Sequence, residues 1–338
     1  MPKQKHILVI RLSAMGDVAM SVPVLRAFTQ QHPNIKLTVL TRAFFKPFFK
    51  DLKNVTVFSA DLKGKHKGIF GLYKLSKELK NLGVNQVADL HNVLRTKILK
   101  FFFFGKTFKQ IDKGRKEKKA LVAGVLFQQL KTTYERYADV FRNLGYTLDL
   151  VNPIFPEQLK LTENTQTFLE KDNKHWIGIA PFAQYQSKMY PLDLLQRVIQ
   201  ELSKRHKVIL FGGGDQEVKV LDTIQKKHDN VINLAGKLTL TEELEVISNL
   251  DVMLSMDSGN AHIAAMLGKK VISIWNVTHP YAGFSPFNQP KEYNLLTNRE
   301  QFPLIPTSIY GNKYPEHYKE ASRSIAPETV IKKIESVL

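Results

Sequence analysis

Leu250–Thr278 reads LDVMLSMDSGNAHIAAMLGKKVISIWNVT, and its pattern decides the fold. An apolar strand, Val252–Ser255, runs into Asp257-Ser258-Gly259-Asn260-Ala261-His262. A short helix follows, Gly268 stops it, and Val271–Trp275 forms the next strand. In a parallel α/β sheet this order puts Asp257, Ser258, Gly259 and His262 at the carboxyl end of a strand, where such sheets bind ligands. Gly259 admits close approach to the backbone, and the N–H groups that open a helix suit a phosphate. The same letters also describe an ordinary strand–turn–helix with an Asp cap.

Working outward, the pattern repeats. Trp176–Ala180 is a strand leading into the loop Pro181–Pro191, then a helix Leu192–Arg205 and a strand Lys207–Phe211. Gly212-Gly213-Gly214 opens a helix through Lys227, Asn230–Leu234 is another strand, and Thr239-x-x-Glu242 is a capping box for a helix to Asn249. The first half carries the same alternation. Strands are read at His6–Arg11, Ile35–Leu40, Asn54–Phe58 and Gln86–Leu90, with helices at Val18–Gln31 and Ile69–Leu82. Val18, Val22, Leu25 and Phe28 form one apolar stripe. Ala120–Leu144 reads as one long helix ending at Gly145, and Pro327 starts a final helix, Glu328–Val337. The irregular, proline-bearing Asp149–Thr165 marks a boundary. The expected division is residues 1–160, 161–322 and a closing helix 323–338 that packs back on the N-terminal domain.

Composition narrows the class. The chain has 338 residues, enough for two cores, with 43% hydrophobic and 24% charged residues. It has no cysteine, which removes disulfides and thiolate metal sites and fits a reducing compartment. Ile7–Ile10 is too short, and too soon broken by Arg11 and Asp17, for a signal peptide, so a cytoplasmic protein is expected. The net charge of +18 implies an anionic partner: nucleic acid, an anionic membrane surface or a phosphorylated substrate. Lys97–Lys119 wraps nine basic residues around Phe101–Phe104. It reads either as a membrane or nucleic-acid face or as a buried phenylalanine strand flanked by a solvated basic loop. No G-x-G-x-x-G fingerprint is present, which disfavours a dinucleotide oxidoreductase.

Four motifs together resemble the bacterial ADP-heptose:lipopolysaccharide heptosyltransferases of glycosyltransferase family 9. They are Arg11–Val18 (RLSAMGDV), Asp89–Arg95 (DLHNVLR), Ser187–Pro191 (SKMYP) and Met256–Ala265 (MDSGNAHIAA), with Ile325–Val330 (IAPETV) in the last helix. The resemblance implies the GT-B architecture, two Rossmann-like domains facing across a cleft, and transfer that inverts the anomeric carbon without a metal or other cofactor. It implies Asp17 as the base for the acceptor hydroxyl and Lys188 as the cation that stabilises the leaving diphosphate. A carboxylate is a weak base, but it suffices where the transition state is oxocarbenium-like and the proton leaves late. Asp17 could instead serve only as a helix cap.

Donor contacts fall on Ser187, Glu217, Asp257, Ser258, Gly259 and His262, and acceptor contacts on Ser13, Gly16, Asp89 and Arg95. Asp215 could replace Glu217, and His262 could be a packing residue. The implied donor is ADP-heptose and the implied acceptor a phosphorylated lipid A–core precursor at the cytoplasmic face of the inner membrane, with no nucleic-acid partner. Three departures bear on the donor: Phe182 after Pro181, Asn276-Val277-Thr278 in place of Gly-Pro-Thr, and an unmatched Phe302–Tyr318. A transferase using another nucleotide sugar, or a non-catalytic module for an anionic glycolipid, are the alternatives.

Overall fold

A computed structural model describes residues 5–169 and 172–338, so Met1–Gln4 of the opening stretch lie outside the described residues. Two compact units emerge: Met1–Lys113 with Thr133–Ile154, and Gly114–Thr132 with Phe155–Leu338.

The first unit runs β1 (His6–Ile10), α1 (Met15–Gln31), β2 (Lys36–Thr41), β3 (Val55–Ser59), α2 (Gly68–Asn81), β4 (Gln86–Asp89), α3 (Leu94–Phe102) and β5 (Thr107–Gln110). The chain then forms α4 (Arg115–Val122), which belongs to the second unit, and returns with α5 (Thr133–Asn143). All five strands are parallel, in the order β3-β2-β1-β4-β5, with His6 opposite Lys36 and Ile7 opposite Gln86. Every residue of β1 is buried, as a central strand covered on both faces requires. The strand order reverses direction between β1 and β4, which makes the carboxyl ends of those two strands the natural ligand position. On α1 the predicted stripe of Val18, Val22, Leu25 and Phe28 is buried, and Phe28 meets Phe141 of α5 with ring centroids 4.6 Å apart.

The second unit repeats the plan after α6 (Glu163–Phe168). Its elements are β6 (Trp176–Ala180), α7 (Leu192–Leu202), β7 (Lys207–Leu210), α8 (Asp215–Gln225), β8 (Val231–Asn233), α9 (Leu240–Ser248), β9 (Val252–Met256), α10 (Gly259–Met266), β10 (Lys270–Trp275), β11 (Asn294–Leu296) and α11 (Pro327–Glu335). The parallel order β8-β7-β6-β9-β10-β11 reverses between β6 and β9, the doubly wound dinucleotide-fold order. The predicted capping box closes α9: Glu242 accepts from the Thr239 N–H at 2.7 Å, and Thr239 Oγ1 accepts from the Glu242 N–H at 3.4 Å. Among the described residues no helix is long and apolar enough to cross a membrane.

Three expectations about the elements change. Helix α1 begins at Met15, three residues early, so Asp17 is inside its first turn and not its cap. The supposed helix Ala120–Leu144 is two helices, because Gly124 takes φ +72° and the chain runs irregularly to Thr133. The phenylalanine run is the last turn of α3 and its exit, with Phe103 buried and Phe101 and Phe104 exposed, not a strand.

The unit bounds also differ from those expected. Residues 114–132 bury Leu121 and Leu130 with Ala282, and Leu130 N–H donates to the Tyr281 carbonyl at 3.0 Å. Gly283 (φ +84°) is needed there, since a Cβ would lie 2.6 Å from the Lys131 carbonyl. Helix α11 packs on α7 of the second unit, where Val330 and Ile334 enter the core and Glu328 pairs with Arg197 at 2.8 Å.

Candidate active site

In the first unit the site grows from the loop that leaves β1. An apolar strand that ends on arginine must place that charge somewhere, and Arg11 is only 6% exposed. Its Nη1 donates to the Leu90 carbonyl at 2.8 Å, and its Nη2 lies 2.5 Å from Oδ2 of Asp17. The same Oδ2 accepts from the Ala14 N–H at 3.3 Å. Oδ1 takes part in neither contact, and the Asp17 side chain is about a third open to solvent. Tyr137 of α5 lies beneath: its buried hydroxyl donates to the Asp17 carbonyl at 3.3 Å, and burial raises its pKa so that it stays protonated.

His91, on the loop after β4, is the neighbour from the other side. Burial first, then the positive charges of Arg11, Lys113 and Arg95, push its imidazole down to about 3 against the opposing pull of Asp17. It is therefore neutral at physiological pH, in a site whose surroundings are net positive. Such surroundings suit an anionic ligand.

The predicted acceptor residues divide. Ser13 and Gly16 are half-buried on the loop and first turn carrying Asp17, and Arg95 is half-buried at the start of α3. Asp89 is different. It is fully buried and accepts from the N–H groups of His91 and Asn92 at 2.9 and 3.0 Å and from Gln110 at 2.8 Å. Its carboxylate shapes the 89–92 loop from inside.

In the second unit the corresponding centre lies at the ends of β6 and β9. A single 3-10 turn, Gln186–Lys188, follows β6 and turns Lys188 inward. Its Nζ is 2.8 Å from Oδ2 of Asp257, which follows β9 directly, and both side chains are largely buried. Thr278, past the end of β10, donates to the same oxygen at 2.9 Å. Gly311 lies against the lysine stem, where a Cβ would come within 2.5 Å of Cγ.

Ser258 caps α10 by position, with its hydroxyl 3.0 Å from that of Ser255, and Gly259 is the first helical residue. The opening amides of α10 thus emerge beside the Lys188–Asp257 pair, and a helix start favours negative charge. His262 is buried on the same helix.

Two of the predicted donor residues bond the protein's own backbone. Ser187 is fully buried and donates to the Gly311 carbonyl, which fixes the 307–313 segment over the lysine. Glu217, half-buried in the first turn of α8, accepts from the Gly213 N–H at 2.8 Å through Oε2 and braces the glycine loop, while Asp215 is exposed beside it.

Arg11, Tyr137 and Thr278 carry neither predicted role, yet they hold Asp17 and Asp257 in place. Arg11 had a signal in the sequence as a charge closing an apolar strand, and Thr278 as part of Asn276-Val277-Thr278; Tyr137 had none. Among the described residues, no three of His, Asp and Glu converge to hold a metal ion.

Residues 72–311 match the family described as glycosyltransferase family 9 (heptosyltransferase). The lipopolysaccharide core heptosyltransferase OpsX of Haemophilus influenzae is 24% identical over 294 residues, covering 84% of this chain and 82% of that protein. Among solved structures, a glycosyl transferase of family 9 from Veillonella parvula superposes with a TM-score of 0.76 at 18% identity, covering 100% of this chain and 98% of the other. The Escherichia coli heptosyltransferase WaaC, solved with ADP, gives 0.68 at 18% identity, with 98% and 100% covered. These likenesses establish the fold, two Rossmann-type units of the kind found in GT-B glycosyltransferases.

Proposed function

This chain belongs to glycosyltransferase family 9, and from that premise we propose that it moves heptose from ADP-heptose to a lipid A-linked lipopolysaccharide core acceptor, with inversion and without a metal. The reaction then occurs at the cytoplasmic face of the inner membrane, where such an acceptor is anchored. The first unit holds the acceptor and the second the donor. Asp17 takes the proton of the acceptor hydroxyl as that oxygen bonds the anomeric carbon. The bond from that carbon to the diphosphate breaks, and ADP leaves with the additional negative charge.

The Lys188–Asp257 pair carries the reading. A buried ammonium beside the opening amides of a helix is a ready partner for a diphosphate, and its charge counts for more in a water-poor site. Asp257 holds the lysine in place until a diphosphate competes for it, and Thr278 fixes Asp257. On the acceptor side, Arg11 fixes one oxygen of Asp17 and leaves Oδ1 to meet the hydroxyl. Neutral His91 and protonated Tyr137 provide a polar lining that does not add charge.

The test is a thermal-shift titration with ADP, UDP and GDP, with and without magnesium, followed by turnover with ADP-heptose. A ligand that binds only the folded chain raises its melting temperature. Selective stabilisation by ADP without magnesium is expected. A larger shift from UDP or GDP would keep the transferase and replace the heptose donor. That second reading draws on Asn276-Val277-Thr278, which stands where the family resemblance implies Gly-Pro-Thr.

A further inference from the structure

Helices α2 and α3 pack together against the first sheet and leave an outer face that is aromatic and basic. On α2 the buried positions are Gly71, Leu72, Leu75, Ser76 and Leu79, so Ile69, Phe70, Tyr73, Lys74 and Lys77 turn outward. Phe70 is 90% exposed. On α3, Thr96 and Leu99 are buried, while Leu94, Lys97 and Phe101 share the opposite stripe. Phe101 is 79% exposed and Phe104, just past the helix, 94%.

The face is continuous. Tyr73 of α2 meets Phe102 of α3 with ring centroids 5.5 Å apart, and Phe102 lies 5.9 Å from Phe101. Phe70 is one turn before Tyr73 on the same helix.

Charge identifies the occupant. Residues 62–110 carry eleven Lys or Arg against Glu78 and Asp89. Asp89 is fully buried, and Glu78 is paired with Lys65 at 2.7 Å. An isologous contact between two copies would set this positive rim against itself, and lysine is depleted in protein interface cores. Rings that can enter the headgroup boundary, bordered by lysines that meet phosphate, match an anionic bilayer.

We propose that the outer face of α2 and α3 docks this chain on an anionic lipid bilayer, with Phe70, Phe101 and Phe104 entering the headgroup region and Lys74, Lys77, Lys97 and Lys100 meeting lipid phosphates. Docking serves a lipid-anchored acceptor, and in that purpose alone it rests on the function proposed above. The stripe starts at Leu94, beside Arg95 and one loop from His91, so the docked face runs up to the acceptor side of the Asp17 site.

The test is co-sedimentation of the full chain, without donor or acceptor, with phosphatidylethanolamine–phosphatidylglycerol vesicles and with phosphatidylcholine vesicles. Preferential binding to the anionic vesicles, weakened by salt, is expected. The triple variant F70S/F101S/F104S should lose about tenfold or more in partitioning, since three inserted rings are removed. K74E/K97E should lose at least about fivefold per lysine. All five positions are exposed, and unchanged melting temperatures would verify that the variants fold.

No binding to anionic vesicles, or equal binding by the triple variant, would overturn the proposal. So would a dimer that the triple variant dissociates, because the face would then be a contact between copies. A chain that binds vesicles but turns over no ADP-heptose keeps the docking and removes the proposed function. The converse removes the docking alone.

Discussion

The ammonium of Lys188 lies 2.8 Å from Oδ2 of Asp257, an oxygen that Thr278 also holds at 2.9 Å. Replacing Lys188 by Met removes the proposed leaving-group cation and leaves a buried carboxylate without its counter-ion. Turnover should fall by about 10²–10³, and stability by about 3 kcal/mol. The double variant K188M/D257N should recover most of the stability and none of the turnover. Recovery of turnover in the double variant would show that the lysine only neutralises Asp257.

Asp17→Asn preserves volume and an oxygen that can still accept from Arg11, so the 2.5 Å contact need not be lost. The loss of basicity is then isolated. An initial-rate assay should show kcat lower by about 10²–10⁴, with the ADP-induced thermal shift unchanged if the donor binds the second unit as proposed. Near-normal kcat in this variant would reassign the base.

His91 gives a pH signature. Its folded-state value, about 3, lies below the 6.5 of an exposed imidazole. The unfolded chain therefore binds more protons between those values, and the folded state loses stability as pH falls from 6.5 toward 3. His279, pushed down to about 4 by burial and then by Arg299, contributes in the same direction. Chemical denaturation at pH 7 and pH 4 should show that His91→Gln retains about 2–3 kcal/mol more stability at pH 4 than the parent. Parallel pH dependences would mean that His91 is not held neutral.

Asn276 ties the irregular C-terminal region to β10: it accepts from the Ser322 N–H at 2.8 Å and donates to the Lys319 carbonyl at 2.7 Å. Asn276→Ala leaves both groups unsatisfied and should cost about 2–4 kcal/mol. Limited trypsin digestion should then cut earlier at Lys319 or Arg323, and an unchanged digestion pattern would count against this anchoring role.

Strands β1, β6, β9 and β10 were legible because a strand buried on both faces must be apolar almost throughout. The α9 capping box was legible because both halves of it are local. The start of α1 was not, since Ala14 at the cap has no polar side chain to announce it. Leu121 and Leu130 gave one apparent helix through Gly124 because their true partner, Ala282, is about 150 residues downstream.

Ser187 and Asp89 illustrate a second limit. A polar residue at a strand end resembles a ligand contact whether it faces solvent or a backbone group. Local sequence does not distinguish Ser187 meeting Gly311 from Ser187 meeting a phosphate. Asp17 and Lys188 each lie just past a strand at which their sheet reverses order.

Because residues 114–132 belong to the second unit while 133–154 return to the first, a growing chain cannot complete its two halves in order. Leu121, Leu126 and Leu130 leave the ribosome long before Tyr281, Ala282 and Ile309, the residues that cover them. During synthesis those leucines remain open to water or to a chaperone for more than 150 further residues. A gene split after Lys113 would strip the first unit of residues 133–154, and one after Ile154 would strip the second of residues 114–132, so no single cut at either point separates the two units whole.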